Sequence, residues 1–126
     1  MNLVDSSGWL EYFADTKNAK HYTQAIEKTD ELIVSTINLF EVYKKILAQV
    51  DENSALQAIA VMQQAKVIEV TASISIHAAR LSHQLKIPMA DSIVYFTALN
   101  NNAILWTQDS DLRGLDGVNY FGKNKT

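Results

Sequence analysis

Short apolar runs rich in β-branched residues recur along this chain, and stretches with helical periodicity separate them. Four runs predict strands and a weaker one indicates a fifth, at residues 2–5, 31–34, 66–70, 103–107 and 118–121. Strands that alternate with helices form a mostly parallel sheet with helices on both faces. The sequence therefore predicts a three-layer α/β/α fold with a central sheet of four to five strands.

Six helices are expected between the strands. Ser6 or Ser7 is suited to cap the first helix, and Ser54 with Gln57 fits a capping box for the fourth. The third helix carries an apolar stripe at helical spacing, which predicts that this side packs on the core. The predicted helices cover residues 8–14, 18–28, 36–50, 54–65, 72–86 and 89–100, and the stripe consists of Phe40, Tyr43, Leu47 and Val50.

Composition narrows the function classes. The 126 residues suit one compact domain, with a loose tail from about residue 122. Absence of cysteine excludes disulfides and thiolate zinc sites. The net charge of −3 argues against binding nucleic acid through bulk electrostatics, but not against contact with phosphate through a bound cation. No apolar segment is long enough to span a membrane. A strand that begins at residue 2 leaves no room for a signal peptide, so the cytoplasm is the expected location.

Four carboxylates are placed where such a sheet binds ligands. Asp5 ends the first apolar run and Asp109 follows the fourth, so both fall at carboxyl ends of strands. Glu41 lies early in the helix after the second strand, and Asp91 lies in the first turn of the most apolar helix. We expect them to converge at one edge of the sheet. Hard oxygen ligands of this kind select Mg²⁺ or Mn²⁺ over zinc.

Each acid also has a purely structural interpretation. Asp5 and Asp91 are suited to complement a helix dipole, and Glu41 to form an i,i+4 ion pair with Lys45. Asp109 and Asp111 fit an Asx-type turn, or together bind one cation. Two neighbouring hydroxyls are candidates to support the carboxylates by hydrogen bonding, namely Ser6 and Thr107.

The order and spacing of these segments resemble those of PIN-domain ribonucleases, specifically VapC-like toxins of toxin–antitoxin pairs. The matching segments, which span nearly the whole chain, are Leu-Val-Asp5-Ser-Ser, Asn-Leu-Phe-Glu41-Val, Pro-Met-Ala-Asp91-Ser-Ile and Thr107-Gln-Asp109-Ser-Asp111-Leu. The resemblance implies an endoribonuclease that depends on Mg²⁺ or Mn²⁺, a homodimer, and a small cognate antitoxin as inhibitor. It assigns the first three acids to Asp5, Glu41 and Asp91, and leaves Asp109 and Asp111 as alternatives for the fourth.

The expected mechanism is hydrolysis of an RNA phosphodiester by activated water. One or two metal ions would be bound by Asp5, Asp91 and Asp109, with Asp111 as a further candidate ligand. Glu41 would hold the attacking water, and the products would carry 5′-phosphate and 3′-hydroxyl ends.

Two other functions remain open at this stage. One is a different metal-dependent phosphohydrolase, although haloacid-dehalogenase-type enzymes need a second Asp where this chain has Ser7. The other is a non-catalytic module that binds a partner helix through an apolar groove. The first helix suggests such a groove. It carries three aromatic residues, Trp9, Tyr12 and Phe13, which is more than one face needs for packing on the core.

Overall fold

Five parallel strands form the central sheet of this protein, whose computed structural model describes residues 1–122. The strands are arranged in the order β3-β2-β1-β4-β5, and every neighbouring pair is parallel. They are β1 (Asn2–Val4), β2 (Leu32–Ser35), β3 (Lys66–Ile68), β4 (Ile104–Thr107) and β5 (Val118–Tyr120). The predicted fold class is confirmed. Beyond Gly122, the predicted loose tail lies outside the described residues.

Six α-helices connect and cover the strands within this part of the chain. They are α1 (Ser6–Ala14), α2 (Lys20–Glu27), α3 (Thr36–Gln49), α4 (Glu52–Met62), α5 (Ala72–Leu85) and α6 (Met89–Asn100). Short 3-10 helices precede α2 and β2 and follow β4, at Lys17–Ala19, Thr29–Glu31 and Ser110–Leu112. Among residues 1–122, no helix is long and apolar enough to cross a membrane.

Each face of the sheet has its own apolar core. Alternate strand residues point to opposite faces, so Val4 packs with α1 to α4 while its neighbour Leu3 packs with α5 and α6. Trp9 and Tyr22 are the largest fully buried side chains on the first face. The two cores explain the three layers, since a sheet covered on both sides buries both sets of strand residues.

Two predicted helix caps are wrong, and in both cases an aspartate is the cap instead. Asp5 caps α1: its backbone is extended and its Oδ1 accepts the Ser6 N–H at 2.8 Å. Asp51 caps α4, and its Oδ1 accepts the Ser54 N–H at 2.7 Å, which lowers the pKa of Asp51. A carboxylate accepts a backbone N–H more strongly than a hydroxyl does, so α4 begins two residues before the predicted Ser54–Gln57 box.

The other differences concern element boundaries and one helix face. The predicted second helix is divided into the 3-10 turn and α2, and β2 begins one residue later than predicted. Most of the apolar stripe of α3 does not face the core: Phe40 is 64% exposed and Val50 is 65% exposed, whereas Tyr43 is partly buried against the core. Val42 and Ile46 are the buried apolar residues of this helix.

The strand order places the chain reversal beside β1. From β1 the chain runs outward through β2 and β3, then returns to add β4 on the other side of β1. A parallel sheet has its ligand crevice at such a switch point, outside the carboxyl ends of the two strands. Asp5 follows β1 directly, and Thr107 ends β4. The fold therefore brings the ends of two distant segments to one crevice.

Candidate metal centre

Asp5 is held rigidly at the carboxyl end of β1. Val4 is in register with Trp106 of β4, and the Asp5 N–H continues the pairing by donating to the Trp106 carbonyl at 2.9 Å. The Asp5 side chain is buried. Its Oδ1 accepts the N–H of Ser6, and its Oδ2 accepts the Thr107 hydroxyl at 2.9 Å. Both oxygens of this carboxylate are thus fixed by partners on α1 and β4.

The Thr107 hydroxyl also fixes the loop that follows β4. Its oxygen accepts the Asp109 N–H at 2.9 Å while its proton goes to Asp5. The Asp109 Oδ1 in turn accepts the Asp111 N–H at 2.9 Å, so Asp109 caps the 3-10 turn. One buried hydroxyl therefore sets the separation between Asp5 and Asp109.

Asp91 completes a cluster of three carboxylates. It lies in the first turn of α6 and is partly buried. One carboxylate oxygen from each of Asp5, Asp91 and Asp109 lies within 4.8 Å of the others. Asp111 is exposed and is not a member of this group, although its charge acts on Asp91. We call Asp5, Asp91 and Asp109 the aspartate trio.

Burial and mutual repulsion raise the pKa of two trio members. The pKa of Asp5 rises to about 6, chiefly because burial disfavours the charged form, and the charges of Glu41 and Asp109 add to this. Hydrogen bonds from Thr107 and Ser6 oppose the rise. The pKa of Asp91 rises to about 8, because of burial, a hydrogen bond with Asp109 and the charge of Asp109. In the metal-free protein the protonated form of Asp91 is therefore favoured near neutral pH.

Glu41 lies beside the trio but is not part of it. Its Oε1 accepts the Ser6 hydroxyl at 2.7 Å, and its charge contributes to the raised pKa of Asp5. The Ser6 oxygen in turn accepts an N–H of Asn38 at 2.9 Å. Asn38 is fully buried, and although it opens the matching segment Asn-Leu-Phe-Glu41-Val, the sequence predicted no role for it. The signal that could have revealed it is its place three residues after the Ser35 cap and three before Glu41.

The chemistry of the trio fits a hard divalent cation. Three carboxylate oxygens close enough to bind one ion are the donor set that Mg²⁺ and Mn²⁺ prefer. The charged groups that act on Asp5 and Asp91 are other carboxylates, so the cluster is electrostatically unfavourable when all its members are ionised. A dication would reverse that repulsion.

The aromatic residues of α1 divide between core and surface. Trp9 is buried, whereas Tyr12 and Phe13 are partly buried against the same core. Phe13 lines a cleft of about 780 Å³ between α1, α3 and α4. Its lining includes the apolar residues Ile46 and Val50 and the polar residues Ser7 and Gln108. We call this feature the α1–α4 cleft.

The profile of the PIN domain family matches residues 3–118. This chain belongs to the PIN domain family. The match covers β1 through the start of β5 and includes every residue of the aspartate trio. No curated protein sequence matches this PIN domain with significance.

Several solved structures with the same fold are toxins or toxin–antitoxin complexes. A toxin–antitoxin complex from Klebsiella pneumoniae matches this PIN domain with a TM-score of 0.77 and 22% identity, over 94% of this chain and 95% of that one. DNA-bound VapBC from Salmonella typhimurium matches with a TM-score of 0.75 and 12% identity, over 96% and 98% of the two chains. VapC20 of Mycobacterium tuberculosis, described as a sarcin–ricin loop cleaving toxin, gives 0.71 and 14%, over 82% and 85%. The resemblance to VapC-like PIN domains is confirmed, and at these identities the likeness concerns the fold.

Proposed function

We propose that this PIN domain is a Mg²⁺- or Mn²⁺-dependent endoribonuclease and the toxin of a toxin–antitoxin pair. The observation that carries the proposal is the aspartate trio, three carboxylate oxygens within 4.8 Å at the switch point of a parallel sheet. The family match and the likeness to VapC proteins support the same activity. RNA is the proposed substrate, and the cytoplasm is therefore the proposed location.

The residues of the site have distinct roles in this proposal. A bound dication would stabilise negative charge on the phosphate and lower the pKa of the attacking water. Asp5, Asp91 and Asp109 would hold it, with Thr107 keeping the Asp5 carboxylate in place. Glu41 has Oε1 held by Ser6, so we assign its Oε2 to orient the water and accept its proton. Cleavage would leave 5′-phosphate and 3′-hydroxyl ends, which end-labelling of the products identifies.

The first experiment removes one charge at a time from the trio. Asp5→Asn and Asp91→Asn should each abolish RNA cleavage in the presence of Mn²⁺ and weaken Mn²⁺ binding. Asp30→Asn is a matched control, because this exposed aspartate precedes β2 at the opposite edge of the sheet. Cleavage by both trio variants at the rate of the parent protein would exclude the assignment.

A second experiment distinguishes the two candidates for the fourth acid. Asp109 belongs to the trio, whereas Asp111 is exposed and offers only its backbone N–H to Asp109. Asp109→Asn should therefore reduce Mn²⁺ affinity far more than Asp111→Asn. Equal losses would indicate that both carboxylates bind the cation.

The α1–α4 cleft is the proposed binding site of the antitoxin. Its apolar lining residues suit the apolar face of a helix, and its lining also includes Gln108, the residue before Asp109. The test is to co-express the chain with a small reading frame adjoining its gene. Phe13→Asp should prevent co-purification, whereas Leu56→Asp should not, because Leu56 is exposed on α4 outside the cleft. Binding that survives Phe13→Asp would place the antitoxin elsewhere.

Exposed apolar side chains near the site support the proposed homodimer. Phe40, Ile76 and Met89 are 64%, 66% and 70% exposed, on α3, α5 and α6. Phe40 precedes Glu41, and Met89 lies two residues before Asp91. Light scattering should give the mass of a dimer, and Phe40→Glu should give a monomer. A monomeric parent protein at micromolar concentration would contradict this part of the proposal.

The alternatives make different predictions for the same protein. A non-catalytic module that keeps the fold and the cleft has no need of a cation at the trio. Calorimetric titration with millimolar Mn²⁺ therefore separates the two, since only the enzyme requires binding that Asp5→Asn removes. A phosphohydrolase of another kind would bind the cation and leave RNA intact.

A further inference from the structure

A buried asparagine on α3 begins a chain of hydrogen bonds that ends on Glu41. Asn38 is fully buried, and both ends of its amide are used. Its Oδ1 accepts the Ser35 N–H at 3.1 Å, and its Nδ2 donates to the Ser6 oxygen at 2.9 Å. The backbone N–H of Ser35 can only donate, so it fixes which end of the Asn38 amide faces Ser6. The amide therefore presents an N–H to that hydroxyl.

The direction of this N–H determines where the Ser6 proton goes. A serine hydroxyl has one proton and two lone pairs. Because Asn38 donates to the oxygen, the proton of Ser6 points away from Asn38 and is donated to Glu41 Oε1 at 2.7 Å. The bonds run in one direction, from Asn38 through Ser6 to the carboxylate.

We propose that Asn38 is a positioning residue for Glu41, acting through the Ser6 hydroxyl to fix the orientation of its carboxylate. This inference rests on the proposed function, in which Glu41 orients the attacking water. Asn38 and Glu41 are three residues apart on α3, so they share the face that meets the start of α1. We call the chain of hydrogen bonds from Asn38 through Ser6 to Glu41 the relay, and it connects α3 with the start of α1.

Helix capping alone does not account for this arrangement. The capping box at the start of α3 needs only an acceptor at Asn38, and Oδ1 supplies it. The donor side of the amide serves Ser6 and, through it, Glu41. Thr107 shows the same pattern on the other side of the site, where the Asp109 N–H meets the hydroxyl oxygen and the proton goes to Asp5. Each of these two carboxylates is thus held by a hydroxyl that a neighbouring N–H orients.

Asn38→Asp tests the donor side, because it keeps an oxygen for the Ser35 N–H and replaces the N–H that faces Ser6. The uncharged Asn38→Leu removes the same N–H without adding a carboxylate, and so separates loss of the donor from the effect of a new charge. The measurement is the ¹³C resonance of the Glu41 carboxyl carbon in the metal-free protein at one fixed pH. Asn38→Asp and Ser6→Ala should shift it in the same direction. Ser35→Ala, which weakens the same helix cap and leaves the relay intact, should not. A Glu41 resonance unchanged in Asn38→Asp would overturn the proposal.

A second measurement does not depend on the folding of an Asn38 variant. The side-chain amide protons of Asn38 should exchange slowly with solvent in the parent protein, because the donor is buried and paired. Ser6→Ala should accelerate that exchange at least tenfold. Fast exchange in the parent protein would show that the bond to Ser6 is not maintained.

Kinetics separate positioning from a general loss of structure. Asn38→Asp should lower the single-turnover rate of RNA cleavage by about 10–100-fold, the effect typical of residues that orient metal-site groups. Mn²⁺ affinity should not fall, since the trio is unchanged and the added carboxylate attracts the cation. In a Glu41→Gln background, Asn38→Asp should lower the cleavage rate no further. If it lowered the rate there by as much as in the parent protein, Asn38 would have a structural role only. If the parent protein cleaves no RNA, the proposed function fails, while the carboxyl resonance still decides the relay.

Discussion

The metal-free protein should become less stable as pH rises, and Asp5 should contribute to the change together with Asp91. The pKa of Asp5 in the folded protein is raised from its ordinary value of 3.8 to about 6, chiefly by burial. A raised folded-state pKa contributes stability that is fully present below the unfolded pKa and is lost as pH rises through the folded one. At about 1.4 kcal/mol for each pKa unit, the total is about 3 kcal/mol. About 2 kcal/mol of it should be lost between about pH 4.5 and about pH 7.5.

The assay is urea unfolding with a chelator present, at those two pH values, for the parent protein and Asp5→Asn. Asparagine keeps the shape and an oxygen for the Ser6 N–H, but it does not titrate. The pH dependence of the unfolding free energy should therefore be smaller by about 2 kcal/mol in the variant. Groups such as Asp51, whose lowered pKa acts in the opposite direction, cancel in this comparison. Asp91 adds to the loss in the parent protein, because its pKa is raised to about 8.

The same pH dependence in both proteins would contradict the prediction, because burial of the Asp5 charge would then have no energetic consequence. Mn²⁺ supplies an internal check. At about pH 7.5 it should raise the stability of the parent protein, because binding to the folded state alone is stabilising. Asp5→Asn should gain far less from the same concentration of Mn²⁺.

Three further predictions follow from the same geometry. Binding of Mn²⁺ at about pH 7 should release close to one proton, because Asp91 is protonated there, and calorimetry in buffers of different ionisation enthalpy should show the release vanish at about pH 9. Thr107→Val should reduce Mn²⁺ affinity by about 10–100-fold in a titration, while Thr107→Ser retains the affinity. Equal affinities in the two variants would show that the hydroxyl bond to Asp5 does not contribute to Mn²⁺ binding. Gly8→Ala should lower the unfolding free energy by about 1–3 kcal/mol in urea, because the added methyl would lie 2.6 Å from a β1 side chain; an unchanged midpoint would contradict that contact.

The strand pattern alone was sufficient to predict the sheet. Four predicted strands and the weaker fifth are all present, and all are parallel. Strands that are buried on both faces must be apolar throughout, so they stand out from helices whose apolar residues recur every three or four positions. The positions of Asp5 and Asp109 at strand ends followed from the same pattern, because strand ends in a parallel sheet share one edge.

The third helix shows where the sequence pattern stops being decisive. The stripe that contains Phe40 and Leu47 has helical spacing, and so does the face formed by Asn38, Val42 and Ile46. Periodicity gives the angle between residues but does not say which face docks. In the structure the face with the asparagine is buried, because Ser35 and Ser6 satisfy its amide. Most of the more apolar stripe remains exposed, while its Tyr43 packs partly against the core.

The sequence by itself determined the layers, the strand direction and the edge at which the acids would collect, because these depend on residue periodicity and on the chemistry of strand ends. Only the tertiary structure decided which acids meet. The aspartate trio contains Asp109 and not Asp111, which the sequence had left open as an alternative. The Asn38–Ser6–Glu41 relay and the bond from Thr107 to Asp5 join residues 32, 35 and 102 positions apart. Contacts at such separations depend on how helices and strands pack, and no local pattern in the sequence encodes them.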